Sequence, residues 1–520
     1  MYSESVSTLS FLSRDQQCIL PIFQRPYTWN RNDECKTLFE NVRDIGENDK
    51  RDSWYLGAIV CQNKGPNLAR PTYVLIDGQQ RLTSVSLMVC VITEYLRKHP
   101  KTTLEGIKNW DSALKKYVID SEGEEDKWYR LLLNNEDKED LKELIYKVSV
   151  GEDIPKYKGR SKIFTNYQFF KRNINKNNIK NVWRGLNKLE MIHIRLDEKD
   201  VAQNIFETLN STGQSLRQID QIRNYLLMGM DPLEAEDIYH HYWRPMELRF
   251  EQHEEETGNN HFDYFTRYYL ILKLNRNVPS KNAYDKFRVV SENFENAKQC
   301  IKELNEFSEY YLNIFGAYEK DPILKKEFEE LEFVSLRLMS PFLMKLYKLY
   351  ADKNITKNEF LRIFKVLKSY TMRKSLCGGL GNSSSDNIAL RLCKVIENNG
   401  SYEDILNVLF SYKGYTRFLT DEQVKENMLL QNFKVYSKNH FVLSKLINFD
   451  RVAPIDSTDL ELTYVCPTVS DEYLDKIGNL TLEGIDLCMD IEAESNEEFI
   501  DKRTEALIDL ILKVWEYPSL

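Results

Sequence analysis

The chain has 520 residues, 42% apolar and 29% charged, with only 20 glycines and 14 prolines, a balance that builds packed cores and excludes a long disordered or fibrous protein. Two to four domains are expected at this length. No run approaches the roughly 18 uninterrupted apolar residues of a membrane span, and the start Met1-Tyr2-Ser3-Glu4-Ser5 lacks the basic and apolar regions of a secretion signal, so a cytoplasmic protein without a membrane partner is expected.

In chain order, Cys18 to Ile22 reads as a short strand. The run Gln24-Arg25-Pro26-Tyr27-Thr28-Trp29 reads as a rigid turn, because Pro26 forces Arg25 toward extended geometry. Asn30 or Asn32 is suited to cap the next helix, in which Cys35, Leu38, Phe39 and Val42 share a face. Leu56–Cys61 and residues 73–77 are expected to be strands, and Thr83–Leu96 a strongly apolar helix. Between the last two lies Asp77-Gly78-Gln79-Gln80-Arg81. A glycine turn from strand to helix is how backbone N–H groups and a helix dipole come to face an anion. Arg81 adds a planar fork of donors that matches phosphate. Asp77 and the two glutamines are suited to orient a base, a sugar, a metal or a water. By spacing alone, an ordinary strand-to-helix turn is the simpler account.

From about residue 104 the chain is mostly helical, with charged connectors near 120–127 and 134–140. Residues 156–188 carry ten Lys/Arg and no acid, interleaved with Tyr157, Phe164, Tyr167, Phe169, Phe170 and Trp183. That composition describes either a nucleic-acid face, with Lys171, Arg172, Lys176 and Lys180 as candidate DNA contacts, or an amphipathic helix that buries its aromatics. Ile192–Leu196 alternates as a strand that returns to the first sheet, and 199–209 and 216–229 are helix-like runs joined by Asn210-Ser211-Thr212-Gly213. His240, His241, His253 and His261 gather metal-ligating side chains, but the neighbouring Glu254-Glu255-Glu256 points to solvated histidines instead. Residues 261–370 read as amphipathic helices whose aromatic stripes are core, and Cys377–Ser385 as a loop or domain junction. Nine scattered cysteines without C-x-x-C spacing indicate reduced thiols and no zinc or disulfide framework. The net charge of −9 is uneven: residues 451–520 hold 17 Asp/Glu against five Lys/Arg, a net of −12 that leaves +3 on the rest.

Gln24-Arg25-Pro26-Tyr27-x-Trp29, Leu56-Gly57 and Asp77–Leu82, together with Ile205-Phe206-Glu207-Thr208-Leu209-Asn210-x-x-Gly213-x-x-Leu216 and Asp220, Arg223 and Asn224, resemble the N-terminal domain of the GmrSD-type restriction and anti-phage defence family. The resemblance implies an α+β, predominantly α-helical protein. It would have a ParB/sulfiredoxin-like nucleotide-binding domain over 1–230 with a helical insertion at about 100–190, a helical linker over 231–370, and a GmrSD-like C-terminal domain over 371–520. It implies a nucleoside triphosphate, with Mg²⁺ left as an option, held by Gln24, Arg25, Asp77, Gly78, Gln79, Gln80 and Arg81 and closed over by Asn210 and Gly213. If hydrolysis occurs, Asp77 and Gln80 are the catalytic candidates.

Tyr370-x-x-Arg373-Lys374-x-x-Cys377-Gly378, Ile477–Leu482, Phe499-x-x-Lys502-Arg503 and Val514-Trp515 resemble the family's C-terminal domain, which carries an HNH-type nuclease opened by a Glu-His-(aliphatic)-x-Pro segment. Here that segment is Thr463-Tyr464-Val465-Cys466-Pro467, and no histidine follows His440. A phenol of pKa about 10 is a poor general base near neutrality, and a −12 segment repels DNA. A degenerate nuclease domain is therefore expected, with no assigned metal site; an Asp471–Glu472 metal pair is the alternative. The expected partners are DNA and either a protein with an intact nuclease domain or further copies of the chain. An NTPase or metal-dependent endonuclease, and a non-enzymatic scaffold, are the competing readings.

Overall fold

The computed structural model describes residues 1–64, 71–120, 125–154, 161–197, 200, 203, 205, 217–331, 333–334, 336–379, 382–485, 487 and 491–519. The fold is α+β and predominantly helical, as expected. Two compact units divide the chain, Met1–His240 and His241–Leu520.

In the first unit the described residues build a six-stranded mixed sheet from β1 (Tyr2–Ser7), β2 (Gln17–Ile19), β3 (Trp54–Asn63), β4 (Thr72–Asp77), β5 (Leu131–Leu132) and β6 (Leu189–Leu196), in the order β1-β6-β3-β4-β2-β5. β6 joins the sheet as expected, antiparallel to β1 and parallel to β3, while β3 and β4 are antiparallel and β2 runs parallel to β4 and β5. β3 is a central strand buried on both faces. Ile59 and Cys61 belong to the main core with Leu75, whereas Val60 packs with Ile76 and Leu196 on the other side.

Helices bounded within the described residues of this unit include α1 (Thr8–Leu12), α2 (Glu34–Glu47), α3 (Gln79–Lys98), α4 (Trp110–Tyr117), α5 (Asn135–Val150), α6 (Lys162–Asn173), α7 (Ile179–Asn187), α8 (Gln218–Met228) and α9 (Pro232–Ile238). α2 buries Cys35, Leu38, Phe39 and Val42 on one face, as their spacing requires. Its N-cap is Asp33 rather than Asn30 or Asn32; the Asn30 carboxamide instead accepts from the Asn32 amide, an Asx turn that leads into the helix. α2 and α7 cross at backbone contact, since a Cβ on Gly185 would stand 1.8 Å from the Val42 carbonyl oxygen.

Among its described residues the second unit is helical apart from a hairpin of β7 (Leu462–Tyr464) and β8 (Leu480–Leu482), which precedes a helix over Asn496–Val514. Its core is aromatic: Phe250 stacks on Phe262 at 4.3 Å between ring centroids, with Phe265 and Tyr311 beside them. Contrary to the expectation of solvated histidines, His253 and His261 lie inside this core, 6% and 0% exposed, with ring centroids 4.2 Å apart. Met246, Phe250 and His253 share one face of the helix Arg244–Thr257, so helical phase overrides the acidic neighbourhood. Asn382 to Ser385, expected in a loop, instead opens a helix reaching Glu397.

The helix Lys357–Leu376 starts with a Thr356/Glu359 capping box and ends against the far C-terminal segment. Its fully buried Arg373 donates from Nε to the Trp515 carbonyl at 2.7 Å, from Nη1 to the Leu419 carbonyl at 3.1 Å, and from Nη2 to the Asp421 carboxylate at 2.7 Å. Ser369 donates to the Glu516 carbonyl at 2.7 Å.

Candidate functional site

β4 ends at Asp77 and α3 begins at Gln79, so Gly78 must turn the chain within one residue. It does so at φ +100°, and a Cβ there would stand 2.1 Å from the Ile59 Cδ1 atom. α3 begins without a side-chain cap, leaving its first amides for another acceptor. Arg81 folds back over β3 and donates from Nη2 to Asp77 Oδ2 at 3.0 Å, both side chains about one-quarter exposed. The guanidinium fits because position 57 is glycine, at φ +121°: a Cβ there would stand 1.9 Å from Arg81 Nη1. The Leu56-Gly57 motif is thus the cradle of Arg81, placed where β3 bulges against β6.

The segment following β2 meets the end of β4. Gln24 Nε2 donates to the Ile76 carbonyl at 2.9 Å, one residue before Asp77. Arg25 follows, half-buried and without a hydrogen bond or ion pair among the described residues. The buried Arg223 of α8 donates from Nε to the Phe23 carbonyl at 2.7 Å and pairs with Asp220 at 3.0 Å. The structure therefore brings the two halves of the sequence signature together at residues 23–25. Asn210 and Gly213 lie outside the described residues.

Gln80 is bonded to the neighbouring backbone. Its Oε1 accepts from the Thr28 and Trp29 amides at 2.9 and 3.2 Å, and its Nε2 donates to the Pro26 carbonyl at 3.0 Å. With both ends of the carboxamide engaged, Gln80 holds the 26–29 turn and keeps one Nε2 hydrogen to donate. Gln79 is buried, and its Nε2 has no partner among the described residues.

Residues that sequence reasoning did not single out complete the scaffold. Asn134 Nδ2 donates to the Pro21 and Gln24 carbonyls at 2.7 and 2.9 Å, Asp137 accepts from the Tyr27 amide at 2.5 Å, and Asn166 donates to the Trp29 carbonyl at 2.8 Å. Only the position of Asn134 before α5 hinted at a polar role, and its side chain makes no bond to that helix.

In the basic stretch, Phe164, Tyr167, Phe170 and Trp183 are core residues, at most 2% exposed, and are closed to base stacking. Lys171 pairs with Glu94 at 2.9 Å, whereas Arg172, Lys176 and Lys180 are exposed. In the hairpin, the Tyr464 hydroxyl receives Lys434 Nζ and donates to Asp475 at 3.1 Å. Asn479, fully buried, accepts from the Cys466 amide at 2.8 Å and donates to the Cys466 and Leu474 carbonyls. Among the described residues, no group of three His, Cys, Asp or Glu side chains is placed to hold a metal ion, and no helix is long and apolar enough to cross a membrane.

Residues 8–227 match the protein family described as GmrSD restriction endonuclease, N-terminal domain. The match takes in Gln24–Trp29, Gly57, Asp77–Arg81 and Asp220–Asn224. No curated protein matches the chain.

Proposed function

From a chain whose residues 8–227 belong to the GmrSD restriction endonuclease N-terminal domain family, and which is thereby a restriction-type defence protein, we propose that the Asp77–Arg81 turn binds a nucleoside triphosphate and uses its occupancy to regulate the response to foreign DNA. The observation that carries this reading is the Arg81 guanidinium, seated in the glycine cradle of position 57 and held, among the described residues, only by a partly exposed carboxylate. Arg25, without a partner among the described residues, and the uncapped start of α3 supply further phosphate donors at the same strand end. Asp77 then acts as a latch: phosphate displaces it from Arg81, which leaves the carboxylate to take a cation such as Mg²⁺ or the ligand's hydroxyls. Gln24 and Gln80 hold the surrounding backbone.

The C-terminal hairpin fits an interaction module rather than a cutting centre. At the position of the family's general base, the Tyr464 hydroxyl accepts from Lys434 and donates to Asp475, so the phenol is engaged on both sides. Cleavage then belongs to a partner with an intact nuclease domain, and Arg172, Lys176 and Lys180 are the exposed cations available to DNA.

Nucleotide titration tests the reading directly. Arg81→Ala is expected to weaken triphosphate binding about 10- to 100-fold, the equivalent of one or two charge-assisted hydrogen bonds, while Asp77→Asn is expected to keep or tighten binding measured without Mg²⁺. Wild-type protein that binds no triphosphate refutes the assignment. Phosphate release separates a sensor from an NTPase, and plasmid cleavage that requires Mg²⁺ or Mn²⁺ in the purified protein would refute the inactive hairpin.

A further inference from the structure

Helix α6 has two working faces. Ile163, Phe164, Tyr167 and Phe170 pack into the core, each at most 1% exposed. Thr165, Gln168, Phe169 and Arg172, spaced i, i+3, i+4 and i+7, form a second face. With Asn173, Arg31 and Asn32, that face lines a cavity of about 520 Å³, within the size range of small-ligand sites.

The walls of this cavity are fixed from behind. Gln80 holds the Thr28 and Trp29 amides, Asn166 holds the Trp29 carbonyl, and Glu34 accepts from the Asn30 amide at 2.8 Å, so residues 31 and 32 leave a rigid turn. Phe169 stands edge-on to Phe39, with ring centroids 6.3 Å apart, and remains half-exposed. The lining contains two arginines and no acid, and neither Arg31 nor Arg172 has a hydrogen bond or ion pair among the described residues. Their charge is therefore uncompensated. Asn32 and Gln168 each offer a carbonyl and an amide, the pairing that base edges present, and Asn173, whose Nδ2 donates to the Phe169 carbonyl at 2.7 Å, adds its Oδ1 as an acceptor.

We propose that this cavity takes one unpaired nucleotide of a DNA strand, its base against Phe169 and its phosphates at Arg31 and Arg172. The assignment rests on the DNA-responsive role proposed above but not on the triphosphate turn, none of whose residues lines the cavity. A base reaches it only from a single strand or after leaving a duplex stack.

Full-length protein is titrated with a fluorescein-labelled 12-nucleotide single strand, with the same strand containing 2-aminopurine, and with a fluorescent triphosphate. The double variant Arg31→Ala/Arg172→Ala changes two exposed side chains. It is expected to bind the single strand at least tenfold more weakly, with the salt slope reduced by about 1.4, the value for two single-strand phosphates, while triphosphate binding stays unchanged. Phe169→Leu, with circular dichroism as the folding control, is expected to abolish quenching of 2-aminopurine. Wild-type protein that does not bind the strand, or a double variant that binds it equally well, overturns the proposal. Parallel loss of triphosphate binding in the double variant also overturns it, because the cavity would then belong to the free-nucleotide site. Failure of the turn assignment reads out separately, as triphosphate binding that is indifferent to Arg81→Ala.

Discussion

Gln80→Met separates a clamp from a catalytic group. Methionine keeps the length and apolar volume of the side chain but neither accepts from the Thr28 and Trp29 amides nor donates to the Pro26 carbonyl. Three backbone groups lose a partner beside a side chain that is only 8% exposed. Leaving a buried polar group unpaired costs about 1–3 kcal/mol, less where water gains access, so a total of roughly 2–4 kcal/mol is expected. In a folding unit of this size each kcal/mol moves the midpoint by about 2–4 °C, which makes the expected drop in Tm of the first unit roughly 4–16 °C. Hydrogen exchange resolves the cause: the Thr28 and Trp29 amides should lose protection in Gln80→Met. They should keep it in Gln80→Glu, which retains the acceptor oxygens. A Gln80→Met protein with unchanged Tm and unchanged protection at those two amides would refute the clamp.

Three further outcomes are expected. Gly185→Ala drives a methyl into the Val42 carbonyl, a backbone atom that cannot rotate away, and should cost roughly 2–4 kcal/mol in urea unfolding of the first unit. Glu4 lies 2.6 Å from the Arg14 guanidinium and 3.1 Å from the His193 ring, and this pairing, Arg14 foremost, holds its carboxyl down at about 2 from 4.5. The unfolded carboxyl takes up its proton first, so this stability is complete above pH 4.5 and is lost as pH falls toward 2; Arg14→Gln should flatten the urea midpoint over that window. Arg373→Met strands the Trp515 and Leu419 carbonyls and should cost about 2–4 kcal/mol, with limited proteolysis cutting earlier at the helix Asn496–Val514.

The local features of the first unit were legible because each has a short-range cause. The apolar phase of Cys35 to Val42, the strand at residues 56–61, the glycine turn at 78 and the alternation at 192–196 all appear where sequence spacing places them. β1 was not legible: Tyr-Ser-Glu-Ser-Val-Ser has little apolar alternation, and it becomes a strand by pairing with residues 190–195. The fate of Gln80 was equally hidden, since a carboxamide serves a water or a backbone and only the fold decides which. His253 was legible in principle through its phase with Met246 and Phe250, but a local count of glutamates obscured it. The aromatics of 156–188 were visible as residues while their division was not. Those in phase with Ile163 became core, and Phe169, one face away, reaches the cavity beside Arg172.

The bonds from Arg373 and Ser369 to residues 515 and 516 also set an order of events during synthesis. They join positions 142 and 147 residues apart, so the helix Lys357–Leu376 cannot reach its final environment until the last helix has left the ribosome. The sheet of the first unit closes much earlier, once residues 189–196 emerge to pair with β1 and β3. Domains fold as units from the N-terminus during translation. The Asp77–Arg81 turn and the arginine-lined cavity are therefore complete while the Arg373 guanidinium of the second unit still waits, hydrated, for its C-terminal acceptors.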